Sequence, residues 1–326
     1  MRVAMVSPYL DRCGVARYSG MLVKALSKYV DVYAIRHHRF GELYNSYLSW
    51  LLKRIKRVSP DVVHIQHEYG IFRPFERFVK FLRMLDVPTV VTMHTVGVPS
   101  VDSAYDSIDS VKAVVVLNEA LASILSRFCS KVRVIPFFVP DVPLISKEEA
   151  RNMLNIPQDA FVVSTLGFID YRKGTDIFLD VVSKLEGVYP IIVGGWHTDF
   201  STDYVKNVLK RAGELGVRVT GWVSDDLFYA YVSASDVVVL PIRAITESFT
   251  VHVALAYRKL VVVADADPLR DKPVVRCGSA GEMVEAIRRA DELYKKLRGD
   301  IDRYVAERSL DRIAKMHSDL YSEVVR

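Results

Sequence analysis

Cysteine is scarce: the 326-residue chain has three, Cys13, Cys129 and Cys277, and no C-x-x-C pair. An odd, widely spaced set excludes a disulfide framework and a cysteine zinc site, and it fits a reducing compartment. Long apolar runs are missing too, and no stretch approaches the ~18 uninterrupted apolar residues of a membrane span. Met1 to Pro8 is too short an apolar run for a secretion signal, so a cytoplasmic location is expected. Neither G-x-G-x-x-G nor the Walker spacing occurs, and there is no short repeat, which excludes solenoids. With 50% hydrophobic and 25% charged residues the chain is not disordered either.

What is present is alternation. Strands are predicted near Arg2–Val6, Val32–Ile35, Val62–Ile65, Thr89–Met93, Ala113–Leu117 and Val132–Ile135, with helical patterns between them. Several of these runs are apolar on both faces, as strands of a parallel sheet covered by helices must be. Pro136, Pro140 and Pro143 then punctuate the chain, and Ser146 with Glu149 makes a capping box that starts a new series. Its strands are predicted at Phe161–Leu166, Pro190–Gly194, Val217–Thr220, Val237–Leu240 and Leu260–Ala264, and after Asp265 the pattern changes to helix, with no strand of comparable length expected. The expected fold is α/β, two doubly wound Rossmann-like domains facing a cleft. The boundaries expected are 1–140, 141–305 and a final helix, 306–326, that crosses back to the first domain.

Charge separates the halves. Residues 1–140 hold 19 Lys and Arg against 11 Asp and Glu, a net +8, while the remainder is at −3. Such a basic half suits phosphorylated or lipid-linked ligands, and no nucleic-acid motif accompanies it. Two basic segments rich in aromatics, Tyr47–Arg57 and Phe72–Arg83, read either as helices covering a sheet or as faces lying on an anionic membrane.

Candidate chemistry lies where strands end. Gly14 follows the first strand and opens a helix whose amides can approach an anion, with Arg12 and Arg17 beside it. His67 and Glu68 stand just past the third strand and His94 past the fourth, on the same rim. Because H-x-x-H on a strand puts its pair on opposite faces, no metal site is expected. Arg172, Lys173 and Gly174 join a buried strand to a helix as a phosphate cradle. Gly194 and Gly221, with Trp222, end the next two strands and leave room for a ligand against the backbone. Glu247 precedes a helix whose first amides, those of Ser248, Phe249 and Thr250, can hold a polyhydroxyl or phosphate group.

Taken in order, these segments resemble the retaining nucleotide-sugar glycosyltransferases of GT-B fold, family 4. The likeness runs through Cys13–Ala16, Gln66–Phe72, Thr92–Thr95, Val134–Pro136, Lys173–Asp176, Val219–Val223 and Ser235 to Glu247. The resemblance implies a hexosyltransferase that uses a nucleotide-diphosphate sugar, keeps the anomeric configuration and needs neither metal nor cofactor. It implies that Gly14 approaches the diphosphate, that His94 contacts the transferred sugar or its phosphate, and that Lys173, with Arg172, neutralises the leaving diphosphate. Glu247 is implied to bind sugar hydroxyls. The amides of Ser248–Thr250 are implied to cradle the donor, and the first domain, with Arg17, His67 and Glu68, to take a carbohydrate, lipid-linked or phosphorylated acceptor.

Three positions depart from the family pattern. Leu255 stands where a second glutamate contacts the ribose, Phe168 replaces an arginine after the strand-end glycine, and Phe137-Phe138 replaces a histidine-glycine pair. Two other readings stay open at this stage: a catalytically silent GT-B subunit that binds a glycan or a partner, and a nucleotide-sugar 2-epimerase.

Overall fold

The computed structural model describes residues 1–9, 13–37, 44–97, 108, 110–196 and 203–326. The chain divides into two units, one made of Met1–Phe138 with Arg308–Arg326 and the other of Val139–Glu307.

The first unit carries β1 (Arg2–Ser7), α1 (Gly14–Leu26), β2 (Asp31–Arg36), α2 (Tyr44–Val58), β3 (Val62–His67), α3 (Phe75–Arg83), β4 (Thr89–Met93), β5 (Ala113–Val116), α4 (Glu119–Leu125) and β6 (Val132–Val134). The strands form one parallel sheet in the order β2-β1-β3-β4-β5-β6. Direction reverses between β1 and β3, and ligands of open α/β sheets bind beyond the carboxyl ends of the strands at such a switch point. The loop before Gly14 and the rim at Glu68 both leave from there.

The second unit adds α5 (Lys147–Leu154), β7 (Phe161–Leu166), α6 (Thr175–Val182), β8 (Val188–Val193), α7 (Asp203–Glu214), β9 (Arg218–Val219), α8 (Asp225–Ala234), β10 (Val237–Leu240), α9 (Phe249–Ala256), β11 (Leu260–Ala264), β12 (Val275–Cys277), α10 (Ala280–Arg288) and α11 (Ala290–Glu307). Its parallel sheet runs β12-β11-β10-β7-β8-β9, so the switch point lies between β7 and β10. Alternation along the strands feeds two cores: Val238 and Leu240 enter one face, Val237 and Val239 the other. After Asp265 the chain is mostly helical, with one short strand. Val275–Cys277 pairs with β11 as an edge strand, too short to announce itself by alternation.

The last helix, α12 (Leu310–Val325), belongs to the first unit. Lys28 and Tyr29, just past α1, both reach Asp311, at 2.8 and 2.9 Å. The apolar faces of α2 and α3 are buried in the core through Leu48, Leu51, Ile55, Phe75, Phe78 and Phe81. Covering the sheet therefore accounts for their amphipathicity. Trp50 stays exposed, with the Arg54 guanidinium 5.4 Å from its ring centre. No helix among the described residues is long and apolar enough to cross a membrane.

Candidate functional site

In the second unit the switch point assembles a half-site from four loops. The chain leaves β7 at Gly167, whose φ of +110° is open to glycine and strained for other residues. Its amide donates to Val193 O. A methyl group at Gly194 would stand 1.9 Å from Gly167 O, and one at Gly174 2.0 Å from Pro241 O. Glycine at these two positions is a packing requirement, because the loop ends touch backbone to backbone. Gly195 lies under the Trp222 ring, where an added Cβ would come within 2.6 Å, and Phe168 meets the same ring edge-on at 4.9 Å. The arginine missing at Phe168 is thus replaced by an aromatic wall. Trp222 is 45% exposed and is fixed by its indole N–H on Trp196 O, while Gly221 makes the turn before it at φ +65°.

Lys173 sits in a short helical turn, Tyr171–Lys173, that Asp170 caps by accepting the Lys173 amide. Its stem passes Gly167, from whose ideal Cβ position Lys173 Cε lies 3.9 Å and Thr250 Cγ2 3.8 Å. Burial lowers the Lys173 pKa, nearby Asp170 opposes the shift and Arg172 adds to it. Among the described residues no acceptor takes its ammonium in a hydrogen bond or ion pair. Arg172 points outward, 3.7 Å from Asp170.

A latch not foreseen from the sequence holds this turn. Arg243 makes two bonds to Asp176, at 2.8 and 2.6 Å, donates to Tyr171 O at 2.8 Å, and stacks 4.1 Å from the Tyr171 ring centre. Desolvation raises the Asp176 pKa, but Arg243 and Tyr204 outweigh it and hold the carboxyl below its ordinary value. The signal was one of order, a strand-end arginine and an aspartate at the start of a helix, with nothing local to pair them.

Glu247 precedes α9, as expected, but it is buried rather than open to solvent. Its side chain is 5% exposed and ion-paired at 3.2 Å with Lys272, itself 1% exposed. Lys272 also donates to Pro268 O and Asp271. The other Glu247 oxygen accepts the Ser248 amide at 2.9 Å, so that amide is not available to a donor, a correction to the expected cradle. The Ser248 hydroxyl caps α9 and contacts Thr250 Oγ1 at 2.9 Å, and Phe249 is half-buried. Leu255 lies in the core with no exposure. The Glu247–Lys272 pair predicts a large structural effect. Glu247→Ala leaves the buried ammonium with only Pro268 O and the more exposed Asp271 among its described partners, and breaking such a pair costs ~3–5 kcal/mol. Glu247→Gln with Lys272→Met should recover most of that loss in urea unfolding of the full chain.

In the first unit Gly14 begins α1 and is exposed, and a Cβ there would meet no atom within 4 Å. Cys13 caps the helix by accepting the Ala16 amide, and Arg17 is half-buried in its first turn. Arg12 lies outside the described residues. Glu68 ties two rims together, accepting from the Thr95 hydroxyl at 2.5 Å and the Gly70 amide at 3.3 Å. His94 is 8% exposed, and its Nε2 is 2.8 Å from Gln66 Oε1.

His67 is corrected: it faces no acceptor. Its ring is fully buried among Tyr69, Phe72, Phe75 and Phe78, and neither ring nitrogen has a hydrogen-bond partner among the described residues. As the last residue of β3 it points into the helix layer, opposite to His64, and burial pushes its pKa down to about 3. Desolvation likewise lowers His94 to about 3, so its imidazole is neutral at working pH. A neutral ring can donate or accept a hydrogen bond but supplies no charge to an anion. The Phe137-Phe138 departure has a packing role, since Tyr18 stacks on Phe138 at 4.8 Å and tilts onto Phe137 at 4.9 Å.

Residues 14–141 match Glycosyltransferase Family 4 and residues 160–299 match Glycosyl transferases group 1, together covering most of the chain. The chain belongs to the group 1 glycosyltransferases. Sucrose-phosphate synthase from Thermosynechococcus elongatus superposes with a TM-score of 0.80 at 17% identity, covering 99% of each chain. HepE from Anabaena, in complex with UDP and glucose, gives 0.79 at 14% identity, over 99% of this chain and 100% of that one. An Escherichia coli protein bound with UDP-2-fluoro glucose gives 0.72 at 10%, over 100% and 99%. At these identities the likeness establishes the GT-B fold. No curated protein matches by sequence.

Proposed function

We propose that this glycosyltransferase moves a hexose from a nucleotide-diphosphate sugar to a carbohydrate, lipid-linked or phosphorylated acceptor, with retention of configuration and without a metal. The observation that carries the reading is Lys173: a cation largely withdrawn from water, held beside glycine backbone at the sheet's switch point, with no carboxylate among the described residues hydrogen-bonded or ion-paired to it. A buried charge without a partner is costly, and the diphosphate of a donor provides the missing counter-charge. The same charge stabilises the diphosphate as it leaves, the electrostatic service on which such transfer depends. Arg172 supplies a second, exposed cation. Trp222 and Phe168 offer a flat apolar wall to a base, in place of the arginine of the family pattern.

His94, neutral and hydrogen-bonded, serves as a contact for sugar hydroxyls. Glu247, at the start of α9, is the carboxylate assigned to accept from hexose hydroxyls. Arg17 and Glu68 line the acceptor side, and the basic first unit suits an anionic acceptor in the cytoplasm.

The test is incubation of the purified protein with UDP-, GDP- and ADP-hexoses and simple acceptors without added metal, with the product anomer read by proton NMR. Transfer giving the donor's anomer supports the reading. An inverted product overturns the mechanism. Binding of a nucleotide sugar with neither transfer nor hydrolysis favours the silent subunit, the second reading that Leu255 keeps in view.

A further inference from the structure

A buried hydrogen-bond chain crosses the core of the first unit and ends on His94. Tyr321, on α12, has its hydroxyl 2.6 Å from His64 Nδ1. His64 Nε2 lies 2.8 Å from Thr92 Oγ1 and 3.2 Å from Gln66 Nε2. Gln66 Oε1 then lies 2.8 Å from His94 Nε2. Tyr321, His64, Gln66 and Thr92 have no exposure at all. Three neighbouring strand positions of β3 and β4, and one helix that returns to this unit from the far end of the chain, therefore meet on one polar line.

A carboxamide between two imidazoles is directional, because it has one oxygen that accepts and one NH2 that donates. With its oxygen on His94, the His94 proton must sit on Nε2, and Nδ1 is left as the ring's acceptor. With its NH2 on His64, the His64 Nε2 must accept, which puts the His64 proton on Nδ1, donated to Tyr321 Oη. In that orientation the Thr92 hydroxyl, 2.8 Å away, donates to the same lone pair of His64 Nε2 in a shared bond. Reversing the amide reverses both histidines together.

We propose that Gln66 is a positioning residue that fixes His94 as its Nε2–H tautomer, through a buried chain anchored on Tyr321 of the last helix. The proposal rests on the reading above in which His94 contacts the transferred sugar, since an Nδ1 acceptor takes a hydrogen bond from a sugar hydroxyl and an Nδ1–H ring cannot. Burial keeps the line uncharged: desolvation lowers the pKa of both His64 and His94 and raises that of Tyr321. The group that faces it from α12, His317, is lowered by burial in the same way. What remains to be set is where each neutral ring holds its proton, and a second-sphere hydrogen bond is the ordinary means of setting it.

The test reads the ring directly, without donor. Long-range proton–nitrogen correlation spectra of the full chain labelled with 15N-histidine should show His94 with a protonated Nε2 and an unprotonated Nδ1 at pH 7. Gln66→Leu should give His94 averaged nitrogen shifts, whereas Gln66→Glu, which keeps the acceptor, should retain the Nε2–H pattern. Tyr321→Phe should alter the His64 nitrogens while leaving Gln66 in place. With a working donor, turnover of Gln66→Leu should fall ~10- to 100-fold, the scale of a misplaced contact, and nucleoside diphosphate affinity should stay within about twofold.

An Nδ1–H pattern at His94 in the parent protein overturns the proposal, as does a Gln66→Leu spectrum identical to the parent's. If Gln66→Leu does not fold, Gln66→Glu and Tyr321→Phe decide, the first by keeping the His94 pattern and the second by shifting His64. A fixed tautomer in a protein that transfers no sugar leaves this inference standing and removes the reading it serves.

Discussion

Lys173→Met is expected to lower glycosyl transfer by ~100- to 1,000-fold, the usual loss when one preorganised group facing developing charge is removed. The same substitution should leave the protein at least as stable as the parent. Lys173 has its charge withdrawn from water with no ion-paired carboxylate among the described residues, and desolvation outweighs the nearby Asp170 charge, so the native state carries a cost that methionine does not. The sign is checked by pH. The unfolded lysine holds its proton to about pH 10.4 and the folded one, with its pKa lowered, releases it earlier. The penalty is therefore fully present below the folded pKa and fades as pH rises toward the unfolded value, a gain the methionine variant should lack. Thermal melts of both proteins between pH 7 and 10 test this. Activity and stability moving in opposite directions is the mark of a functional group, because a structural lysine would lose both.

The second large effect is acid lability of the first unit. His67, His94 and His317 are buried with pKa values lowered to about 3, and His64 is also lowered. An unfolded histidine takes up its proton near pH 6.5, so below that value the unfolded state binds more protons and stability falls with pH. At pH 5 each such ring costs about 2 kcal/mol, a figure set by the unfolded value because the folded ring stays neutral. Three of them exceed a third of a typical folding free energy of 5–15 kcal/mol. Urea unfolding followed by a probe in the first unit should lose stability steeply between pH 6.5 and 5, and a flat profile there would contradict the burial of these rings. His64→Gln is no substitute test, since it breaks the polar line as well.

Most of the fold is legible in the sequence, because buried parallel strands carry a strong local signal. Ala113–Val116 and Val237–Leu240 are apolar on both faces and bounded by turn residues, and both are strands. What the sequence does not carry is order across the sheet. That Gly167 and Pro241 end up at one switch point depends on β7 pairing with β10, strands separated by about 70 residues. Short edge strands such as β12 are missed for the opposite reason, since three residues are too few to show a period.

The site is legible in its glycines and its basic turn, less so in its acids and histidines. Glu247 at a helix start reads as exposed, and only the fold brings Lys272, from beyond β11, to cover it. His67 and His94 look equivalent as strand-end histidines, yet one points into a phenylalanine core and the other onto Gln66. Alternation along a strand separates His64 from His67, but it does not say which face holds helices and which meets α12. The Arg243–Asp176 latch has nothing local in the sequence to pair its members, because they are joined by tertiary packing.

The most direct measurement is calorimetric titration of nucleoside diphosphates, and of the matching unphosphorylated nucleosides, into the parent protein and Lys173→Met without metal. The account predicts that one diphosphate binds the parent at least about tenfold more tightly than its nucleoside, a difference of ~1.4 kcal/mol or more, and that this margin disappears in the variant. Equal diphosphate affinity in parent and variant, with both proteins folded, would contradict the assignment of Lys173 to the donor.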